Sequence, residues 1–442
     1  MRDCLPADVR RRRYVISVVE EVYQRYGFEP LETPALENIE TLTGKYGDEG
    51  AKLIFKVLRR GEHESSGETD LALRYDLTVP LARVIAEHRG KLPKFFKRYQ
   101  IQPMWRADRP ARGRFREFYQ CDVDAIGSRS PVVEAEMCSA VCDVLVKLGF
   151  TDFVVRLNHR ELLGGMLENF GVPAALHDPA LVAIDKLDKV GADGVKHELQ
   201  NRGIAEDAAA RLLDAYSSQG DIFGARNLNA AVIERAGELV GSNATGRRGL
   251  EEVQAIVELS AATSAREYVI VDTSLARGLS YYTGAIMEVA VADLAGSIGG
   301  GGRYDGLIGM FSGEAIPACG FSLGLERILV VMGERGMFPA DVDAAAADVL
   351  VTLFDPESIP DSLRLAADLR AAGQRVQVYP EPDKLGKQFK YAAAIGVPRV
   401  AILGPDERAR GVVMIKDMKT GEQEAVAREH LARLRLRLAA DD

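Results

Sequence analysis

Long apolar runs are missing from this 442-residue chain, and so is any excess of basic charge. No stretch approaches the roughly 20 apolar residues a membrane-spanning helix needs. The opening Met-Arg-Asp-Cys-Leu-Pro-Ala-Asp lacks the apolar core of a secretory signal, so the expected location is the cytoplasm. Cysteine is scarce. Cys4, Cys121, Cys138, Cys142 and Cys319 are an odd five, which argues against a disulfide framework and for a reducing compartment. Cys138 and Cys142 lie one helical turn apart without a histidine beside them, and the six histidines occur singly, so no protein-built metal centre is expected. The net charge is -9. Residues 347–442 balance, so the whole deficit sits in the first 346. Nonspecific attraction to nucleic acid is thereby disfavoured, and any such partner must meet local basic patches through a defined geometry. Two phosphate-binding signatures are also lacking. No Gly-Lys-Ser/Thr follows the glycine run at 299–302, and no crossover helix opens there.

Against this acidic background stands Arg-Ala-Asp-Arg-Pro-Ala-Arg-Gly-Arg-Phe-Arg-Glu-Phe, residues 106–118. If the segment is a strand, a period of two puts Arg112, Arg114 and Arg116 on one face, continued by Phe118, Gln120, Asp122 and Asp124. A surface running from guanidiniums through an amide to carboxylates suits a ligand with a phosphate at one end and an ammonium at the other. The alternative is a solvated basic edge strand.

The chain is too long for one core, and its patterning predicts an α+β fold. A helix over Ala7–Tyr26 stops at Gly27, and strands are expected at Phe28–Pro34, Leu53–Leu58 and Asp70–Arg74, the last two joined by a hairpin loop at Gly61–Glu68. A helix over Thr78–Glu87 precedes a long hairpin of Phe95–Arg106 and Arg114–Ala125, and another helix covers Pro131–Lys147. Residues from about 161 to 262 are alanine-rich and read as a helical insertion. Strand signals return at Tyr268–Asp272, Ala285–Val291 and Ala318–Leu323. A linker at 336–346 then separates residues 1–335 from 347–442, whose alternating short strands and helices predict a small α/β domain around a mostly parallel sheet.

Three further segments carry reactive groups in glycine-softened backbone. Leu73-Arg74-Tyr75-Asp76-Leu77-Thr78 ends a strand with a carboxylate and a hydroxyl, although Asp76 also reads as a helix N-cap. Arg277-Gly278-Leu279-Ser280-Tyr281-Tyr282 offers a cation and two phenols that suit either a pocket or a packed core. Four consecutive glycines before Arg303-Tyr304-Asp305 are costly in chain entropy and imply either close approach of a ligand or a flexible loop. Gly320–Arg327 is a strand turning into a helix, with Arg327 at the corner. Taken together, these segments point to a phosphate-handling site built from arginines on an antiparallel sheet.

These residues resemble the class II aminoacyl-tRNA synthetases and, among them, the histidyl-tRNA synthetases. The opening helix with Phe28–Pro34, the segment Trp105–Gln120 and the segment Gly320–Arg327 resemble the three motifs of the class. Arg-Gly-Leu-Ser-Tyr-Tyr and Gly-Gly-Arg-Tyr-Asp-Gly resemble the two histidine signatures, and Lys387–Ala392 with Gly396-Val397-Pro398 resembles the family's anticodon-binding domain.

The resemblance implies a class II antiparallel sheet flanked by helices, in a homodimer that uses L-histidine, ATP with Mg2+ and tRNA(His), with no prosthetic group and no bound structural metal. It also implies roles. Arg277 and Arg106 would act at the α-phosphate; Arg106, Asp108, Arg114 and Arg327 would hold ATP; Asp76, Thr78, Gln120, Asp124, Tyr281 and Tyr282 would hold histidine. Arg109, Arg112 and Arg116 are left for loop structure or the tRNA acceptor end. Asp76 and Asp124 stand where the family often has glutamate, which keeps the charge and shortens the reach. The rivals are a paralogue that regulates the first enzyme of histidine biosynthesis, which would generally lack the anticodon domain and erode the arginines, and a non-catalytic tRNA-sensing module.

Overall fold

In the computed structural model the chain divides into two compact units, Met1–Phe338 and Pro339–Asp442. The structure describes every residue except 46–49, 51, 62–66, 185–186, 218–221, 225–227, 277–280, 293 and 431–442. Most of the expected Gly61–Glu68 hairpin loop therefore lies outside the described residues. Among the described residues no helix is long and apolar enough to cross a membrane.

The first unit is built on an eight-stranded sheet. Its strands are β1 (Glu29–Pro30), β5 (Phe96–Trp105), β6 (Glu117–Ile126), β7 (Phe153–His159), β8 (Val269–Val271), β9 (Ala285–Val291), β10 (Ser297–Arg303) and β11 (Ala318–Gly324). They are ordered β1-β5-β6-β11-β10-β9-β7-β8. All neighbours are antiparallel except the outermost pairs β1/β5 and β7/β8. The expected antiparallel α+β architecture is therefore present. A small antiparallel sheet of β2 (Leu36–Asn38), β4 (Thr69–Leu73) and β3 (Lys56–Leu58) stands beside it, and of these β2 was not expected.

The helices Pro6–Arg25 and Val132–Lys147 bury Val15, Val18, Val19 and Val22, and Met137, Cys138, Val141 and Cys142, in the cluster that covers the sheet. This is the apolar stripe that the period of 3.6 in both segments foretells. The described chain between β7 and β8 is helical. Its apolar faces, including Leu162, Met166, Val253 and Ile256, join that same cluster instead of enclosing a core of their own. Arg74 is 1% exposed and clamps the chain behind the site, donating to the Thr33 carbonyl at 2.6 Å, the Pro103 carbonyl at 2.8 Å and Gln102 Oε1 at 3.0 Å.

The second unit holds β12 (Val349–Val351), β13 (Val376–Val378), β14 (Arg399–Ile402), β15 (Val412–Asp417) and β16 (Gln423–Ala427) in the order β13-β12-β14-β15-β16. Only the β12 pairings are parallel. The other two are antiparallel, so the sheet is mixed where a mostly parallel one was expected. The β15/β16 pairing follows from the Asp417–Gly421 turn, where the Asp417 side chain accepts from the amides of Lys419 and Thr420 at 2.8 and 2.9 Å and folds β16 back onto β15 as a hairpin.

Candidate active site

Two cavities, of about 280 and 340 Å3, open on one face of β6, β11, β10 and β9. Both are lined by Arg106, Gln120, Glu288, Ser297 and Gly300, so they form two lobes of one cleft.

The glycine run explains how the cleft lies so close to the sheet. Residues 299–302 are not a loop; they form the middle of β10 between β9 and β11. A Cβ on Gly299 would come within 2.5 Å of the Ser322 carbonyl, and one on Gly301 within 2.2 Å of the Gly320 carbonyl. Glycine at those positions is a packing requirement of the sheet. Gly300 points the other way, where a Cβ would meet only the Met287 carbonyl, at 3.3 Å, and would project into both lobes.

The outer lobe collects the arginines expected to hold ATP. Arg106, Asp108, Arg114 and Arg327 all line it. The Arg106 guanidinium lies between the rings of Tyr75 and Phe118, 4.3 and 5.3 Å from their centroids, and its Nε donates to the Tyr75 carbonyl at 3.0 Å. Stacking and one fixed hydrogen bond thus orient the fork toward the junction of the lobes. Arg327, near the start of the helix Leu325–Glu334, donates to the Ser297 carbonyl. Gly113 and Gly296 make room for it: both have positive φ, and a Cβ on either would approach Arg327 to 3.1 or 3.2 Å. Glu326 accepts from the Tyr119 amide at 2.9 Å, and burial pushes its carboxyl up to about 7.

One expectation about this segment is corrected. β6 begins at Glu117, not Arg114, and residues 107–116 form a loop pinned by a bridge between Ala111 and Arg114. The alternating arginines therefore do not share a face. Arg112 pairs with Glu334 and Arg116 donates to the Asp108 carbonyl at 3.3 Å, while Arg114 faces the lobe. Pro110 and the positive-φ Gly113 cannot continue a strand pairing, which is why the period of two fails here.

The inner lobe gathers Asp76, Thr78, Gln120, Tyr281 and Tyr282. Asp76 lines this lobe and also supports the start of the helix Thr78–His88. Its Oδ1 accepts from the Val79 amide at 3.0 Å as a cap, and its Oδ2 lies 3.5 Å from the Tyr281 hydroxyl. Tyr281 and Tyr282 meet edge to face, with centroids 5.1 Å apart. Gln120 donates to Ser322 Oγ and leaves its buried Oε1 without a hydrogen-bond partner among the described residues. Burial raises the Tyr282 hydroxyl far above the usual phenol range, so it remains a neutral donor.

Asp124 is not among the residues that line either lobe. It fills the space over Gly320, where a Cβ would fall 1.9 Å from its Oδ1. That oxygen accepts from Tyr304, and Oδ2 lies 2.8 Å from Arg98. Arg277 lies outside the described residues.

Of the polar side chains lining the inner lobe, four were not among the expected site residues: Asp122, Glu288, Ser297 and Ser322. Asp122 shares the face of Gln120, and Glu288 is the one acid in the otherwise apolar β9, a signal present in the sequence. Arg156 holds Glu288 at 2.9 Å while also pairing with Asp272 at 2.6 Å.

Residues 1–328 match the family described as Histidyl-tRNA synthetase, and residues 348–435 match the family described as Anticodon binding domain. Among curated relatives, a histidine–tRNA ligase of Porphyromonas gingivalis is 43% identical over 441 residues, covering 96% of this chain and 95% of its own. One from Gloeobacter violaceus is 42% identical over 451 residues, with the same coverage of both chains. Among solved structures, histidyl-tRNA synthetase from Nostoc sp. superposes with a TM-score of 0.81 at 30% identity, covering 99% of this chain and 98% of that one. An ATP phosphoribosyltransferase regulatory subunit/histidyl-tRNA synthetase from Bacillus halodurans, 23% identical with a TM-score of 0.73, covers 91% of this chain and 96% of its own and shares the fold.

Proposed function

The chain belongs to the histidyl-tRNA synthetase family and is an ATP-dependent ligase that joins histidine to tRNA, and from that premise we propose how its two lobes divide the work. The outer lobe takes ATP and the inner lobe takes histidine. The observation that carries this reading is their junction at Arg106, which lines both. A carboxylate in the inner lobe and an α-phosphate in the outer one meet beside the same guanidinium.

The first step makes a bond from the histidine carboxylate oxygen to the α-phosphorus and breaks the bond to pyrophosphate. The nucleophile is already an anion, so no base is required. The demands are alignment and stabilisation of charge on the phosphorus oxygens. Arg106, stacked and hydrogen-bonded in place, meets that demand at the junction. Arg277 is proposed to act with it at the α-phosphate, on the family resemblance. Asp108, Arg114 and Arg327 hold the remainder of ATP, with Mg2+ entering as part of that substrate; among the described residues no cluster of acids, cysteines or histidines forms a metal site of its own. Asp76, Thr78 and Gln120 receive the α-ammonium, and Tyr281 and Tyr282 wall the side chain. In the second step a ribose hydroxyl of the terminal adenosine attacks the acyl carbon and AMP leaves. The second unit is proposed to hold the anticodon, and the working form to be a cytoplasmic homodimer.

The test is histidine-dependent exchange of pyrophosphate into ATP, followed by charging of tRNA. Exchange with histidine alone among the amino acids, and subsequent charging, is the expected result. Exchange without charging points to the regulatory paralogue, and no exchange with any amino acid removes the catalytic reading.

A further inference from the structure

The lining of the outer lobe is short of positive charge for the triphosphate assigned to it. Arg106, Arg114 and Arg327 share that lining with as many acids, Asp108, Glu288 and Glu326. Arg156 answers Glu288 at 2.9 Å, but the Nε of Arg106 and the Nη1 of Arg327 are engaged by the carbonyls of Tyr75 and Ser297. Arg112 and Arg116 are turned to Glu334 and to the Asp108 carbonyl. A polyphosphate brings more negative charge than this set neutralises, so a further cation close to the lobe would strengthen its binding.

The chain ahead of the first helix supplies one. Arg2 is exposed, and it lays its guanidinium 4.3 Å from the centroid of the Phe115 ring, a residue that lines the outer lobe. Burial raises the carboxyl of Glu326, a second lining residue, and the charges of Arg2 and Arg12 act against that rise. Two walls of the lobe therefore feel the same side chain. The segment that carries it is tied down beside the lobe: the Leu5 amide donates to Asp8 Oδ2 at 3.2 Å, and Arg12 reaches back to Cys4 Sγ at 3.8 Å while lying 4.9 Å from the centroid of the Tyr119 ring. Tyr119 in turn gives its amide to Glu326. A planar cation stacked on an aromatic face is held by that face and presents its N–H edge to an acceptor in the plane.

Resting on the assignment of the outer lobe to ATP, we propose that Arg2 is a further phosphate-binding residue of the site, stacked on Phe115 so that its N–H edge meets the phosphate chain of ATP. Phe115 lines only the outer lobe, away from the junction where the α-phosphate reacts beside Arg106. Arg2 therefore binds the substrate and the transition state alike, and its loss raises KM for ATP while leaving kcat nearly unchanged. The backbone phosphates of tRNA offer the same chemistry, but the two residues that feel Arg2 are walls of the nucleotide lobe, which favours ATP as the ligand.

The test measures pyrophosphate exchange by the full chain at varied ATP and at varied histidine, in the wild type and in Arg2→Gln and Arg2→Lys. Arg2→Gln is expected to raise KM for ATP by ~3- to 10-fold, with KM for histidine and kcat unchanged within about two-fold. Arg2→Lys keeps the charge without the planar stack and should fall between the two. Between about 50 and 300 mM KCl, KM for ATP should rise more steeply in the wild type than in Arg2→Gln, a screening effect that a purely structural role of Arg2 would not produce. In a Phe115→Leu background Arg2→Gln should cost less than about two-fold, because the platform that aims the guanidinium is already gone. The proposal is overturned if Arg2→Gln keeps the wild-type KM for ATP, or if its KM for ATP rises with the salt dependence unchanged. It is overturned equally if the variant alters only KM for tRNA in charging at saturating ATP, which would assign the side chain to the RNA. Absence of exchange in the wild type would instead remove the ATP assignment on which the proposal rests.

Discussion

Two adjacent glycines in β10 should respond oppositely to the same added methyl. At Gly301 a Cβ would lie 2.2 Å from the Gly320 carbonyl and 2.7 Å from Phe321 Cα, both backbone atoms of the neighbouring strand. Backbone in the middle of a sheet cannot step aside without breaking the β10/β11 register, so Gly301→Ala should destabilise by on the order of 3 kcal/mol or more. With about 2 cal/mol/K of unfolding entropy per residue over the unit Met1–Phe338, that is a fall of at least about 4 °C in Tm.

At Gly300 the nearest atom to a Cβ is the Met287 carbonyl at 3.3 Å, and the φ is not positive. Gly300→Ala should therefore fold with a Tm within about 2 °C of wild type, the slight crowding being offset by about 0.4–1 kcal/mol of reduced chain freedom in the unfolded state. Its methyl would stand where the two lobes join. Overpacking of about 1–3 kcal/mol against both substrates corresponds to a rise of roughly 5- to 150-fold in each KM. Thermal unfolding monitored by circular dichroism, with pyrophosphate exchange at varied ATP and histidine, measures both quantities. Wild-type Tm in Gly301→Ala would refute the register. Wild-type KM for both substrates in Gly300→Ala would refute the placement of the cleft.

Three further outcomes are expected. Arg277→Ala should abolish adenylate formation with the fold intact by circular dichroism, and near-normal exchange in that variant would remove Arg277 from the α-phosphate. Arg106→Lys keeps the charge but loses the fork and the stack on Tyr75 and Phe118, so kcat/KM in exchange should fall by about 10²- to 10³-fold. A loss below about five-fold would show that charge alone suffices. In the absence of ligands, stability should fall as pH rises. Asp122, raised from 3.8 to about 7, and Glu326, raised from 4.5 to about 7, hold more protons folded than unfolded, so their contribution is greatest below pH 4 and is lost as pH climbs through about 7. For Asp122 the outer limit is about 4 kcal/mol. Urea titrations at pH 5.5 and 8 should show Asp122→Asn gaining stability over wild type mainly at pH 8, and an equal difference at both values would contradict the assignment.

Much of the site could be read in the sequence because its parts are local. Asp76 and Thr78 fall at a strand-to-helix turn, Tyr281 and Tyr282 are neighbours, and Arg327 follows the end of β11 by three residues. Local patterning also marks the helices Pro6–Arg25 and Val132–Lys147. Failures occurred where a residue's meaning depends on another strand. The period of two was carried through 112–116, although a loop occupies those positions, because only the neighbouring strand reveals where pairing stops. The glycine run left a loop and a ligand approach both open; its pairing with β9 and β11 excludes the loop, and Gly299, Gly300 and Gly301 line the cleft as bare backbone.

The sequence by itself determined the chemistry present: an arginine-rich, base-free inventory for handling phosphate, a histidyl pair of signatures, and a separate α/β unit. Those properties reside in residue types and short spacings, which survive without knowledge of the fold. The tertiary structure decided which groups face the ligand space. Asp122 and Asp124 are two residues apart on one strand and chemically the same, yet Arg98, Tyr304 and the bare backbone of Gly320 draw one away from the cleft and leave the other with an unpaired oxygen at its wall. Partners brought from distant parts of the chain made that choice, because the free energy of a buried carboxylate is set by what surrounds it.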